Sequence, residues 1–459
     1  MFRGLRCLPA LVLASCAPPL AVPNTHVAVS SYTPQPVNAP VTSSVPIQAA
    51  WWRSFNSPQI DAFVAKGLTD SPTLQEASQN LALAQQNAAA ANGAYLPQIG
   101  LNPGQPNASR TAEPGGPNGF PPYTIYAVGG TVSYDPGLFG ARKYTYENGA
   151  ALADYENAEL DAARQSLAGN IVTAAISLAG FQAQIATTQN IITVEETSLR
   201  LLQGEYEAGA ITQLTVLQQQ AQIQATAETL PALRTNADSQ ADRLAVLTAQ
   251  LPGAFSTPEI SLDALAMPAA IPVVIPSAYL ANRPDLRAAR ANVAAQNAAL
   301  GVAIAHLYPD LQLSASGGWV GETFNLLFNT STAFYSIAGN LLAPIYQGGQ
   351  LHARKAAAQA QLAEALAAYH DAVFNAFGQA ADALHALAND ETALTTATDA
   401  KNTAVSAYHL ASQQYALGAV DYNTVLTAQA LAAQQALTLV QARTNLLLDT
   451  ARLQAAMAQ

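Results

Sequence analysis

The sequence predicts a mostly α-helical protein with a smaller membrane β-strand contribution, built as one unit written twice. The unit reads helix, strand, strand, long helix, helix. Three observations predict this. Two stretches 212 residues apart align without a gap. Heptad spacing runs through two very long segments that end at glycine turns. Between the helical stretches lie runs in which apolar residues alternate with small or polar ones.

The duplication sets the frame. Ser71–Leu101 and Arg283–Leu313 share Pro72/Pro284, Leu74/Leu286, Asn80/Asn292, Pro97/Pro309 and Leu101/Leu313. Alanine matches carry little weight in an Ala-rich chain. The prolines and leucines carry more, because both copies place them at helix ends. The same offset of 212 pairs "GARK" (Gly140 to Lys143) with "HARK" (His352 to Lys355). At an offset of 209, "YEAGA…VLQQQAQ" from Tyr206 pairs with "YALGA…VLTAQAL" from Tyr415. Repeated anchors in one order mean a duplicated supersecondary unit.

The chain starts with Arg3 and Arg6 before a short apolar run from Cys7 to Leu13. That is a secretory signal, too short to span a bilayer. The stretch "LASC" resembles the bacterial lipobox. It implies that residues 1–15 are removed and that Cys16 carries diacylglycerol plus an N-acyl chain. Several chains on one residue anchor durably. In lipoproteins of this kind, Ala17 in place of Asp implies the outer membrane. Residues 16–56 are expected to be an extended N-terminal segment.

The first repeat is expected over 57–250. It opens with a helix of roughly 30 residues that the proline of "YLPQ" ends, since a proline ring removes a ladder bond and favours an extended exit. Two strands follow at about 98–135, with "QIGLNPG" and "YTIYAVGGTVSY" as their alternating runs. Next comes a long helix in which Ile171, Leu178, Ile185, Ile192, Leu199 and Tyr206 are spaced by seven. A sustained heptad means coiled-coil-like packing. From Arg142 to Tyr206 such a helix is ~100 Å long at about 1.5 Å per residue. Gly209 suits the left-handed cap that ends it. A return helix follows, and Pro231 is expected to bend it.

Residues 251–278 are rich in proline and read as a connector with short strands. The second repeat, 279–459, has strands at about 310–343. Its long helix carries Ala380, Leu387, Leu394, Lys401, Tyr408 and Tyr415 at the heptad positions, and Gly418 in its turn.

Composition narrows the function. The 459 residues are 50% hydrophobic and 11% charged, with a net charge of −11. So acidic a chain is no nucleic-acid binder. With Cys7 removed and Cys16 lipidated, no disulfide, thiolate nucleophile or cysteine metal cluster remains. No apolar run approaches the ~20 residues of a transmembrane helix, so a crossing must use strands. Histidines 26, 306, 352, 370, 385 and 409 are scattered, and no phosphate loop or nucleophile elbow is present. The chain is not expected to be an enzyme, and no cofactor or metal is expected beyond the lipid. Four strands per chain cannot close a barrel, and open edges cannot face lipid. Closure needs several copies: eight strands from a dimer, or twelve from a trimer.

Four motifs then resemble one family. "VPIQAAWWRSFNSPQIDAFVAKGL" is similar to its opening. "YLANRPDLRAAR" carries its Arg-Pro-Asp at Arg283, Pro284 and Asp285. "DPGLFGARK" carries its Leu-Phe-Gly at Leu138, Phe139 and Gly140. "APIYQGGQLHARK" carries Pro344, Ile345, Gly348 and Gly349. Together they resemble the outer-membrane factor family of TolC- and OprM-like channels, in particular the NodT-type efflux lipoproteins. The resemblance implies a homotrimer with a twelve-strand β-barrel in the outer membrane and a twelve-helix α-barrel through the periplasm. It implies a passive export conduit for drugs or other small molecules. The partners would be a periplasmic adaptor and an inner-membrane pump of the resistance-nodulation-division class. Loops at Asn107–Gly119 and Gly321–Thr330 would face outside. Tyr123, Tyr126, Trp319, Phe334 and Tyr335 would form interfacial belts or pack within the strands.

By the same resemblance, the turns at Gly209–Ala210 and Gly418–Ala419 would dock the adaptor. Tyr415, Asp421 and Thr427 are candidates for a constricted periplasmic aperture. Thr427 stands where the family commonly has Asp, so an acidic gate does not transfer directly. Asp421 equally fits a helix cap. Gly348–Gly349 reads as a strand-to-helix corner. Two rivals are a type I protein-secretion channel and an adaptor-like coiled-coil lipoprotein. The latter would not need strands inserted between duplicated helices.

Overall fold

The computed structural model describes residues 20–21, 23, 25, 41–42, 50–102, 107–109, 123–267, 271–272, 282–321 and 323–457. Cys16 and the expected signal segment, residues 1–15, lie outside them. The chain divides into two compact units. One takes residues 80–157 and 288–370 along with the N-terminal 26, and the other takes 27–79, 158–287 and 371–459.

In chain order the elements are β1 (Val41–Thr42), α1 (Pro58–Asp70), α2 (Pro72–Gly93), β2 (Gln98–Asn102), β3 (Asn107–Ser109), β4 (Tyr123–Tyr134), α3 (Ala141–Glu207) and α4 (Gln213–Leu247). Then follow β5 (Ile271–Pro272), α5 (Pro284–Ala305), β6 (Asp310–Gly321), β7 (Ala333–Leu342), α6 (Gln350–Ala416) and α7 (Tyr422–Met457).

The two copies match closely. Helices α2 and α5 are both 22 residues long and both start on a proline, Pro72 and Pro284. Proline suits the first helical position, where its missing N–H costs nothing. The long helices α3 and α6 are both 67 residues.

Several expectations need correction. The opening helix of about 30 residues is two helices, α1 and α2. Ser71 precedes a proline and is held extended (φ −62°, ψ 121°), and its hydroxyl accepts from Leu74 N–H. The segment expected to be extended through residue 56 ends instead in a 3₁₀ turn, Trp51–Phe55, with Trp51 and Phe55 buried. Ser54 Oγ donates to Gln454 Oε1 at 2.9 Å, tying this turn to α7. The Asn107 end of the first predicted loop is strand, since Asn107–Ser109 pairs antiparallel with Tyr123–Ile125. The pairing of "GARK" with "HARK" is three residues out of register. The helices start at Ala141 and Gln350, and the left-handed glycines before them, Gly140 (φ 83°) and Gly349 (φ 81°), are 209 apart. Gly348–Gly349 is the strand-to-helix corner expected. Helix α4 runs from Gln213 to Leu247 through Pro231 without a break.

The heptad also shifts. Ile171 and Leu178 are fully buried, but Tyr206 is 44% exposed. Toward the end of α3 the buried seam is Thr188, Glu195 and Leu202. Its counterpart in α6, at an offset of 209, is Ala397, Ala404 and Ala411. Hydrophobic spacing alone pointed to the wrong seam, because two of the three buried residues in α3 are polar. One window of α3 is apolar enough by composition to cross a membrane. Ile171, Val172, Ala175, Ile176, Leu178 and Ala179 of that helix are instead buried by neighbouring residues.

Candidate functional site

The unit holding the strands carries one antiparallel sheet in the order β2-β4-β6-β7, with β3 also on β4. Each copy contributes a strand pair, and the pairs join through β4 and β6. β4 and β6 are 12 residues long and β7 is 10, the length of a membrane-crossing strand of about 9–11 residues.

Register makes the sheet two-faced. Directly opposed residues point to the same face. Ile99, Val132, Ala315 and Ile337 form one row across all four strands. Leu101, Gly130, Gly317 and Tyr335 form the next row on that face. Between them, on the opposite face, runs Gly100, Thr131, Ser316 and Ser336. The apolar face is open: Ile99, Leu101, Tyr335 and Ile337 are 79%, 86%, 87% and 81% exposed. A contiguous apolar face marks a surface meant for lipid or another chain.

The predicted aromatics gather toward one end of this sheet. Tyr126 opposes Gly321, Trp319 opposes Ala333, and Phe334 opposes Gly318. Phe324 and Phe328 from the adjoining loop join them, edge-on to Tyr126 at 6.3 Å and tilted on Trp319 at 5.3 Å. Tyr335 lies on the apolar face of β7 in the same band. Tyr123 opens β4 at this same end, three residues before Tyr126, and pairs with Ser109.

The other unit carries the hairpin tips. At the end of α3, Gly209 (φ 76°) donates to Tyr206 O and Ala210 donates to Glu205 O. At the end of α6, Gly418 (φ 72°) donates to Tyr415 O and Ala419 donates to Gln414 O. Both are Schellman caps. Gly209, Ala210, Gly418 and Ala419 are exposed.

Beneath the turns, Leu202, Val216, Ala411, Tyr422 and Val425 form a buried cluster. Tyr415 packs on Tyr422 edge-on at 5.4 Å, and its hydroxyl donates to Glu205 Oε2 at 2.5 Å. Asp421 caps α7: its Oδ1 accepts from Thr424 N and Thr424 Oγ1 at 3.1 and 2.9 Å. Thr427 is exposed on the next turn, and its hydroxyl donates to Asn423 O. The three candidate aperture residues thus share one end of the second hairpin. Only Tyr415 reaches across to the first.

Sequence reasoning missed a buried polar network below the tip. Gln219 Nε2 donates to Glu195 O at 2.9 Å, and Tyr422 Oη donates to Gln219 Oε1 at 2.9 Å. Glu195 Oε1 accepts from Thr226 Oγ1 and Gln222 Nε2. Burial pushes the Glu195 carboxyl above its ordinary range, against the pull of those two donors. Burial likewise pushes the Tyr422 hydroxyl up to about 12. The signal available in the sequence was a run of glutamines, "VLQQQAQIQ", on a helix with little charge.

The Arg-Pro-Asp motif forms a helix start. Arg283 Nε holds both Asp285 carboxylate oxygens, and its Nη2 donates to Gln379 Oε1 at 2.6 Å, which fixes the start of α5. Among the described residues no group of three or more His, Cys, Asp or Glu is placed to hold a metal.

Comparisons with known proteins bear on the same features. A family model described as outer membrane efflux protein matches residues 65–250 and 275–459, one match per copy. The chain is 28% identical over 390 residues to the pyoverdine export outer membrane protein OpmQ of Pseudomonas aeruginosa, covering 83% of this chain and 80% of that one. It is 28% identical to nodulation protein T of Rhizobium leguminosarum bv. trifolii, over 74% of this chain and 72% of the relative. Among solved structures, the open-state MtrE outer membrane channel of Neisseria gonorrhoeae superposes with a TM-score of 0.85 at 22% identity, covering 97% of this chain and 98% of that one. The CmeC outer membrane channel of Campylobacter jejuni gives 0.85 at 18% identity, covering 97% and 94%.

Proposed function

The chain belongs to the outer membrane efflux protein family, and from that premise we propose that three copies assemble into the outer-membrane duct of a tripartite pump. The observation that carries this reading is the two-faced sheet with unpaired edges at β2 and β7. Lipid tolerates no unpaired strand edge. Each edge is satisfied by the β2 or β7 of a neighbouring copy, and three copies supply twelve strands. The apolar rows then face lipid and the Thr131–Ser316–Ser336 row faces water, the alternation of a membrane barrel.

In this reading transport is passive. The chain supplies a water-filled path, and an inner-membrane pump of the resistance-nodulation-division class supplies the energy. A periplasmic adaptor docks at the turns Gly209–Ala210 and Gly418–Ala419. Tyr415, Asp421 and Thr427 lie beside the periplasmic aperture, and a lipid on Cys16 anchors the protein. The cargo is small molecules of the kind the relatives' names describe, pyoverdine-like compounds included.

The test is electron microscopy of detergent-extracted protein with symmetry averaging, paired with planar-bilayer conductance. A hollow threefold particle that conducts ions is expected. Particles without a lumen would overturn the assignment.

A further inference from the structure

Glu195 has no place in the transport reading, yet it is the most unusual residue below the hairpin tip. It is 0% exposed, and its Oε2 has no hydrogen-bond partner. Both side-chain donors that reach it, Gln222 Nε2 at 3.3 Å and Thr226 Oγ1 at 3.1 Å, go to the other oxygen. An ionised carboxylate so placed keeps half its charge on a buried atom that nothing solvates. As a hydroxyl, Oε2 carries much less charge and the mismatch largely disappears.

Among the described residues, the side chains that reach the carboxyl are both neutral. The face of α4 packed on Glu195 presents Gln219, Gln222 and Thr226, and α4 has no titratable residue from Gln213 to Ala227. From α7 the only titratable group over the first turns is Tyr422, which stays neutral because burial pushes it up to about 12. Over the matching stretch of α6 the groups are Lys401, Tyr408, His409 and Tyr415. Lys401 lies beside Leu394 and Thr398 in a separate cavity, and His409 is exposed. On α3 itself, Arg200 donates to Thr197 Oγ1 and Glu205 accepts from Tyr415. The sister position at this seam is Ala404, so the carboxyl belongs to the first hairpin alone.

We propose that Glu195 is the proton-binding latch of the first helical hairpin. Protonated, it lets α3 and α4 pack and keeps Gln219 in place to hold Tyr422 of α7. Ionised, it loosens that packing and releases the tie between the two hairpins. The direction is fixed by linkage. A carboxyl whose folded pKa is raised stabilises the packed state at low pH, and that stabilisation falls as pH rises from the unfolded value of 4.5 through the folded one. The consequence for conduction rests on the channel reading above: the periplasmic end opens more readily as pH rises.

The test uses the intact protein in detergent. Hydrogen-exchange protection factors are read for α3–α4 and α6–α7 peptides from about pH 4.5 to about pH 8, for wild type, Glu195→Gln and Glu195→Ala. In wild type, α3–α4 protection should fall with rising pH, by about tenfold for each unit by which packing raises the carboxyl. In both variants the α3–α4 fall should disappear, while any fall in α6–α7, where the Asp390–Asp449 pair lies, should be the same in all three proteins. Glu195→Ala places the sister residue in the seam, so it serves if Glu195→Gln does not fold. A variant whose α3–α4 peptides follow the wild-type profile would overturn the latch. Conductance is read in parallel. A wild type that never conducts refutes the channel reading, and the exchange data still decide the latch.

Discussion

Tyr415 Oη donates to Glu205 Oε2 at 2.5 Å, joining the last turn of α6 to the last turn of α3. The two residues are 210 positions apart, and both sit within a turn of their helix's glycine cap. Burial, then the facing Glu205, pushes the tyrosine hydroxyl up to about 12, so it remains a donor across the physiological range. A hydrogen bond to a charged group is worth roughly 1.5–3 kcal/mol when well placed, and partial exposure reduces that. Tyr415→Phe should cost about 1 kcal/mol in thermal unfolding and raise the time channels spend open. Unchanged unfolding and gating would mean the bond does not hold the tips.

The two turns make a separate prediction. Gly209 and Gly418 have φ of 76° and 72°, and a Cβ built at either meets nothing within 4 Å. Substitution therefore costs backbone strain alone. Alanine at either site should destabilise by about 1 kcal/mol, and asparagine by less, because it tolerates the left-handed region. Calorimetric melting of the four single variants checks the ranking.

These turns also mark how much was legible beforehand. The duplication, both glycine caps, the paired prolines and the four strands were readable, because each rests on local backbone chemistry. The buried seam was not. Ile192 and Leu199 have the right spacing, but Glu195 and Thr188 occupy the contact, and hydrophobic pattern is blind to a buried polar residue whose partners lie on another helix. The break at Ser71 was missed although its serine-proline signature was present, since the alanine-rich run beyond it reads as one helix. For the site, the two glycine turns and Tyr415 lie together at the hairpin tips, where the sequence put them. The Asp421 cap was one of two readings, and geometry realises it without testing the other.

Asp421 and Thr427 separate by substitution. Asp421→Ala removes both the cap and the charge, and should cost about 1 kcal/mol of stability. Asp421→Ser keeps a capping oxygen and should restore most of it. If the aspartate also lies beside the aperture, both variants shift cation selectivity in planar bilayers while Thr427→Ala does not. Selectivity unchanged in all three would confine Asp421 to capping.

The middle of the sheet is held close by glycine. Gly129 opposes Gly318 and Gly130 opposes Gly317, joining the two copies' strands. A Cβ at Gly318 would overlap Val128 O, and one at Gly129 would lie 2.8 Å from Gly317 O. Gly318→Val should therefore disrupt β4–β6 pairing and deplete the protein from outer-membrane fractions. Val128→Ala, on the same strands without the steric conflict, should insert normally.

A second carboxyl gives a pH response of its own. Asp390 on α6 is pushed from 3.8 to about 6, chiefly by burial and then by the facing Asp449 of α7, while Arg452 pulls it back. Arg452 Nη1 lies 2.7 Å from Asp449 Oδ1, so that cation is already engaged. A raised folded pKa means the packed state holds the extra proton. Its stabilisation is complete below about 3.8 and falls as pH rises through about 6. Denaturation midpoints should therefore drop over that window in wild type and drop less in Asp390→Asn. The sign is the same as for Glu195, but the location differs, because the Asp390 pair joins α6 to α7. If Asp390→Asn keeps the full wild-type slope, the two carboxylates do not share a proton. If it flattens the slope, the residual pH dependence should disappear when Glu195→Gln is added.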